Sequence, residues 1–116
     1  MIDPHDPPRW WTVAEANAEL VRVRDLATRA RRALQSAGGN GHGAAARAEA
    51  IAVVEQLEAD GIVLRDVDRG LVDFPARAPS GRAYWLCWLI DEEEVGWWHW
   101  PEAGFAGRTR LDDPPR

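Results

Sequence analysis

The chain contains no lysine. All 14 of its basic residues are arginine, which excludes a Schiff base, a lysine nucleophile and the phosphate-gripping lysine of a Walker loop. Cysteine is nearly absent, and Cys87 alone permits neither an intrachain disulfide nor a CxxC metal pair. Serine is confined to Ser36 and Ser80, both in turn-like settings, so a serine hydrolase is not expected. No HExxH, P-loop, GxSxG or strand-to-helix GxGxxG pattern occurs. The longest strongly apolar run, Ala83 to Ile90, is far short of the roughly 20 residues of a membrane span. The proline-rich start, Met1 to Pro8, has neither the charged nor the apolar region of a secretory signal. A cytoplasmic location is expected. The net charge of −5 and pI near 5.1 argue against nucleic-acid or anionic-membrane binding.

What is present points to one globular domain of 116 residues. Apolar residues make up 46% of the chain and charged residues 28%, so a core can form without covalent staples. Seven residues are tryptophan. Thr12-Val13-Ala14-Glu15 reads as a capping box, with Trp11 and Ala16 placed as a hydrophobic staple. Val13, Ala16, Leu20, Val23, Ala27, Ala30, Leu34 and Ala37 then recur at spacings of three and four, which predicts one continuous helix. Its other face carries a stripe from Arg22 to Arg32, a solvated surface or a partner for the acidic Asp91–Glu94 turn of a second chain. The run from Gly38 to Gly43 ends it, and a second helix over 44–60 carries Ile51, Val54 and Leu57, with Gly61 at the C-terminal cap.

After Gly61 the period changes from 3.6 to 2. Strands are predicted over 62–65, 71–77, 83–90 and 95–100, separated by turns at 66–70, 79–81 and 91–94. Residues from 101 onward read as an irregular tail. The expected fold is therefore α+β: a helical hairpin (12–60) packed on a small antiparallel meander of three or four strands (61–100). Tyr84, Leu86, Trp88 and Ile90 alternate with Trp85, Cys87 and Leu89, so the third strand is apolar on both faces. The face that the helices leave open must meet a second copy, the N-terminal arm or a ligand. A homodimer is the simplest expectation.

The ordered set Gly70-Leu71-Val72-Asp73-Phe74-Pro75-Ala76, Leu86-Cys87-Trp88, Trp98-His99 and Gly104-Phe105-Ala106-Gly107-Arg108 resembles bacterial domain-of-unknown-function family 2203. The helical hairpin with its capping box fits that family's layout as well. The resemblance implies no activity. It singles out Asp73, Cys87, His99 and Arg108 as polar positions within the shared motifs. Family members commonly carry an acidic residue after the histidine, where this chain has Trp100, with Glu102 nearby.

His99 lies among tryptophans, and histidine is the side chain whose ordinary pKa allows titration near neutrality, while Asp73 sits in an apolar strand where a carboxylate needs a partner. Two-residue turns at Ser80-Gly81 and Glu92-Glu93 would give the pairings 73–88–97 and 75–86–99, with Asp73 and His99 on one face. Cys87 reads as a buried thiol, since nothing identifies a base for it. Asp73, Cys87, His99 and Glu102 lack diagnostic metal-ligand spacing, so neither a metal nor another cofactor is expected. The leading expectation is a binding module with a tryptophan-walled pocket for a small or weakly anionic ligand, lined by Tyr84, Trp88, Trp97, Cys87 and Glu102. The alternative is an enzyme with His99 as general acid/base, Asp73 orienting it and Arg108 stabilising negative charge. A third reading is assembly through the helical hairpin.

Overall fold

A computed structural model of the chain describes residues 2–37 and 43–116. The capping box forms: Glu15 N–H donates to the Thr12 hydroxyl at 3.1 Å, and Thr12 N–H donates to the Glu15 carboxylate at 3.0 Å. It starts α1, Val13–Ala18. The predicted single helix is broken at Glu19, whose N–H reaches back three residues to Ala16 at 3.1 Å, a tighter turn than the α-helix allows. α2 runs Leu20–Ala37 and α3 runs Gly43–Ala59. Of the glycine-rich link expected at 38–43, residues 38–42 lie outside the described residues and Gly43 already belongs to α3. Ser36 belongs to the last turn of α2, where its hydroxyl donates to the Ala33 carbonyl.

α2 buries Leu20, Val23, Leu26, Ala27, Ala30 and Ala33, a face rich in alanine that lets the neighbouring backbone approach closely. α3 answers with Ala50, Val53 and Leu57. Ile51, expected among its packing residues, is 56% exposed; the buried set follows the 50, 53, 57 row of one helix face, and Ile51 stands off it. Gly61 ends α3 at φ 76°. Its N–H bonds to the Glu58 carbonyl, and Ile62 N–H reaches the Leu57 carbonyl, closing the helix as a left-handed glycine cap does.

The sheet has five antiparallel strands in chain order: β1 Val63–Asp66, β2 Leu71–Arg77, β3 Ala83–Leu89, β4 Trp97–His99 and β5 Thr109–Arg110. The tail is thus not wholly irregular, since β5 pairs with β4 and a 3-10 turn spans Phe105–Gly107. Pro75, mid-strand in β2, is tolerated because β1 pairs only with residues 71–73, leaving β2 an edge at that point. At Gly70 (φ 65°) a Cβ would lie 2.6 Å from the Ile90 side chain, so only glycine fits between the β1–β2 turn and the end of β3.

One sheet face carries Val72, Phe74, Ala76, Tyr84, Leu86, Trp88 and Trp98 into the same core as the helices. The tryptophans therefore do not form one wall. Trp88 (fully buried) and Trp98 pack in that core, with Trp100 against it, while Trp85 and Trp97 belong to the opposite face. That second face is covered within the chain: Arg65 stacks over Trp85, and Arg108 and Arg110 over Trp97. The acidic turn likewise finds arginine within the same chain. Arg24 donates to the carbonyls of Ile90 and Glu92, and Arg108 pairs with the Glu92 carboxylate at 2.7 Å. No helix among the described residues is long and apolar enough to cross a membrane.

Candidate functional site

Strand register decides which polar residues meet. β2, β3 and β4 align as Asp73–Cys87–Trp97 and Pro75–Trp85–His99. The expected pairings 73–88–97 and 75–86–99 are each off by one residue on β3. The β2–β3 loop is the cause. Ala78 N–H bonds to the Arg82 carbonyl and Gly81 N–H to the Ala78 carbonyl, with Gly81 at φ 90°, giving a three-residue loop in place of two. The second slip, across β3–β4, has the same sign. The two cancel for β2 against β4, so Asp73 and His99 stay on one face while β3 presents Cys87 between Asp73 and Trp97.

Asp73, Cys87 and His99 are 1%, 0% and 3% exposed. Asp73 Oδ2 lies 3.1 Å from His99 Nε2 and accepts from Arg65 Nε at 3.0 Å. His99 Nδ1 stands 2.8 Å from the Trp100 carbonyl. A carbonyl only accepts, so Nδ1 carries a proton. The Nε2–Oδ2 contact at 3.1 Å then holds a second proton between the imidazole and the carboxylate. Burial works against the charged imidazolium, but the Asp73 carboxylate and the Trp100 carbonyl outweigh it and raise the His99 pKa above its ordinary value. Burial, and after it the Asp73 charge, push the Cys87 thiol well above its usual range, so it is a neutral thiol and not a ready nucleophile. Asp73 Oδ1 is buried with no partner.

This pairing fixes a pH dependence. The folded-state pKa of His99 is raised, so the stability it contributes is fully present below its unfolded value of about 6.5 and is lost as pH rises through the folded value. Denaturant unfolding should show the wild type losing stability above about pH 6.5, with His99→Gln flat between about pH 6.5 and 8. Parallel profiles for the two proteins would contradict the charged pair.

A cavity of about 240 Å³ opens beside the pair. Arg65, Leu71, Asp73, Trp85 and His99 of the sheet line it, with Ile2 and Pro4 of the N-terminal arm and Pro101, Gly104 and Phe105 of the tail. A larger groove, about 610 Å³, runs between α2 and the end of the sheet past Arg24, Arg31, Arg32 and Arg69. It is the more open of the two, and its lining includes no histidine or cysteine. The smaller cavity holds the buried acid–base chemistry and is the stronger candidate.

The structure brings Asp73, Cys87 and His99 together, sets the Arg108 guanidinium beside Cys87, and places Tyr84, Trp88, Trp97 and Glu102 away from the cluster. Arg108 is held by Glu92 and the Cys87 carbonyl, outside the cavity lining. Trp97 shares the site's face of the sheet but sits under Arg108 and Arg110. Tyr84 and Trp88 are on the opposite face: Tyr84 packs edge-on to Trp98 and Trp100, and Trp88 donates to the Glu92 carbonyl. Glu102 is an exposed partner of Arg82. The residue that sequence reasoning missed is Arg65, which supplies the cavity's guanidinium. It lies two residues beyond Val63, the direct partner of Asp73, at an irregularity in β1–β2 pairing; hairpin parity alone puts it diagonal to Asp73.

Comparison with curated proteins and with solved structures gives no match. A family model described as an uncharacterised conserved protein, DUF2203, matches residues 35–111. That span includes every strand of the sheet and all of Arg65, Asp73, Cys87, His99 and Arg108, and the chain belongs to the DUF2203 family.

Proposed function

We propose that this chain binds a small, flat, weakly anionic molecule in the cavity beside Asp73 and His99. The observation that carries the reading is one of charge. A single carboxylate, Asp73, lies between Arg65 and His99; with the imidazole protonated, the direction in which its surroundings move its pKa, the cluster presents a net positive charge beside the Trp85 indole that lines the cavity. An anion with an aromatic or planar body matches both features. The volume is below the roughly 300–1,000 Å³ of drug-sized pockets, which favours a ligand the size of benzoate. A cytoplasmic compartment, where a lone buried thiol stays reduced, belongs to the same proposal.

A second reading is favoured by the 3.1 Å Asp73–His99 contact. His99, oriented by Asp73 and the Trp100 carbonyl, would act as general acid/base on a ligand in this cavity. Arg65, not Arg108, would then face developing negative charge. Homodimerisation is a separate proposal, resting on the exposed Val21 of α2 and Ile51 of α3, and light scattering reads it directly.

Titration of the protein with benzoate and with neutral benzamide, followed by tryptophan fluorescence, tests the binding reading. Saturable binding is expected, with benzoate favoured about tenfold or more, as loss of a charge-assisted hydrogen bond implies. Arg65→Gln should abolish the preference. Non-saturable quenching, or equal affinity for the acid and the amide, would overturn it.

A further inference from the structure

We propose that Asp73, Cys87 and His99 form a binding site for one divalent cation of the zinc class. Three neighbouring strands each contribute one residue: a carboxylate from β2, a thiol from β3 and an imidazole from β4. Their ligand atoms all lie within 4.8 Å of one another and all three residues are buried. In a tetrahedral site with bonds of 2.0–2.3 Å, ligand atoms stand roughly 3.3–3.7 Å apart. The cluster therefore closes on an ion through side-chain shifts of about an ångström, without strand movement.

Two further observations point to an ion and not to packing alone. The first is the orientation of His99. Its Nδ1–H is tied to the Trp100 carbonyl and its Nε2 faces the cluster, the arrangement by which a backbone carbonyl orients a metal-ligating histidine. The second is Asp73 Oδ1, a buried carboxylate oxygen with no hydrogen-bond partner, where such atoms are nearly always satisfied. Arg65 occupies only Oδ2 and leaves Oδ1 to a cation. A thiolate, an imidazole and a carboxylate together suit zinc better than calcium or magnesium, whose ligands are oxygens.

Binding forms three bonds, from the metal to Sγ, Nε2 and a carboxylate oxygen. It sends to solvent the Cys87 thiol proton and the proton held between His99 and Asp73. The thiolate and carboxylate then neutralise the ion's two charges. Because Asp73 and His99 also line the cavity, the fourth position opens into it, as at sites where a metal keeps a place for water or substrate. The site does not depend on the cavity taking an organic anion.

The test uses the untagged full chain, stripped with chelator, dialysed and titrated with Co(II), which takes zinc sites and reports thiolate ligation by a near-ultraviolet charge-transfer band. One equivalent of cobalt per chain with that band, displaced by zinc, is the expected result. Cys87→Ser should lose the band, and Asp73→Asn and His99→Gln should weaken cobalt binding at least tenfold, while Glu102→Gln leaves it unchanged. A wild type that shows no thiolate band overturns the proposal whether or not the variants fold. A band of undiminished affinity in Asp73→Asn or His99→Gln overturns the three-residue site. Benzoate binding is measured in chelator, so either result stands without the other.

Discussion

Asp73→Ala is expected to destabilise the protein by about 3–5 kcal/mol, because it strands a buried cation that only this carboxylate neutralises. His99 is 3% exposed and would have to shed its second proton or remain charged without a counter-ion. Arg65, with 38% of its side chain exposed, can turn to water and accounts for little of the cost. Asn, which keeps an acceptor for Arg65 but not the charge, should cost less, about 1–3 kcal/mol. Replacing both partners by apolar residues, Asp73→Leu with His99→Phe, should recover much of the loss, since it removes the charges from the interior along with their attraction. Denaturant midpoints of the four proteins measure this. An Asp73→Ala protein as stable as the wild type would mean that the pair is not charged.

The second large effect belongs to Trp88→Ala, also about 3–5 kcal/mol, or roughly 12–20 °C in melting temperature for a domain of this length. Trp88 is fully buried in the shared core, donates to the Glu92 carbonyl at 3.0 Å and lies under the Arg24 guanidinium. Its loss opens a cavity and loosens the turn that Glu92 organises. Benzoate affinity, normalised to folded protein, should not change, because Trp88 lies on the face away from the cavity. A Trp88→Ala protein that keeps its stability but loses binding would return this residue to the pocket that the sequence pattern suggested.

The contrast shows what residue patterns can and cannot specify here. The capping box at Thr12–Glu15 and the glycine cap at Gly61 are legible because their chemistry is local: each needs only a side chain or a backbone freedom at a fixed offset. The α+β order is legible from the change of period after Gly61. The face of β3 is not, because Tyr84 to Leu89 is apolar on both sides and offers no alternation to set its parity. A three-residue loop at 79–81 then turned Cys87 toward Asp73 and His99 and Trp88 to the other face. Asp73 and His99 survived the slip only because β3 was displaced equally against both neighbours. Arg65 escaped notice at an irregular pairing position, and which acidic group holds Arg108, here Glu92, depends on a tertiary contact that the sequence does not display. The two-residue β5 is too short to leave any periodic signal.

On the proposed reading an anion binds in the cavity beside Asp73 and His99 and not in the larger arginine-lined groove along α2. Nitrogen-15 NMR of the labelled protein during a benzoate titration tests this residue by residue. The predicted result is saturable shifts of the Trp85 indole N–H, the His99 ring nitrogens and the Arg65 side chain, with the Arg24, Arg31 and Arg69 signals in place. Shifts confined to those α2-groove arginines, with Trp85 and His99 unmoved, would contradict it.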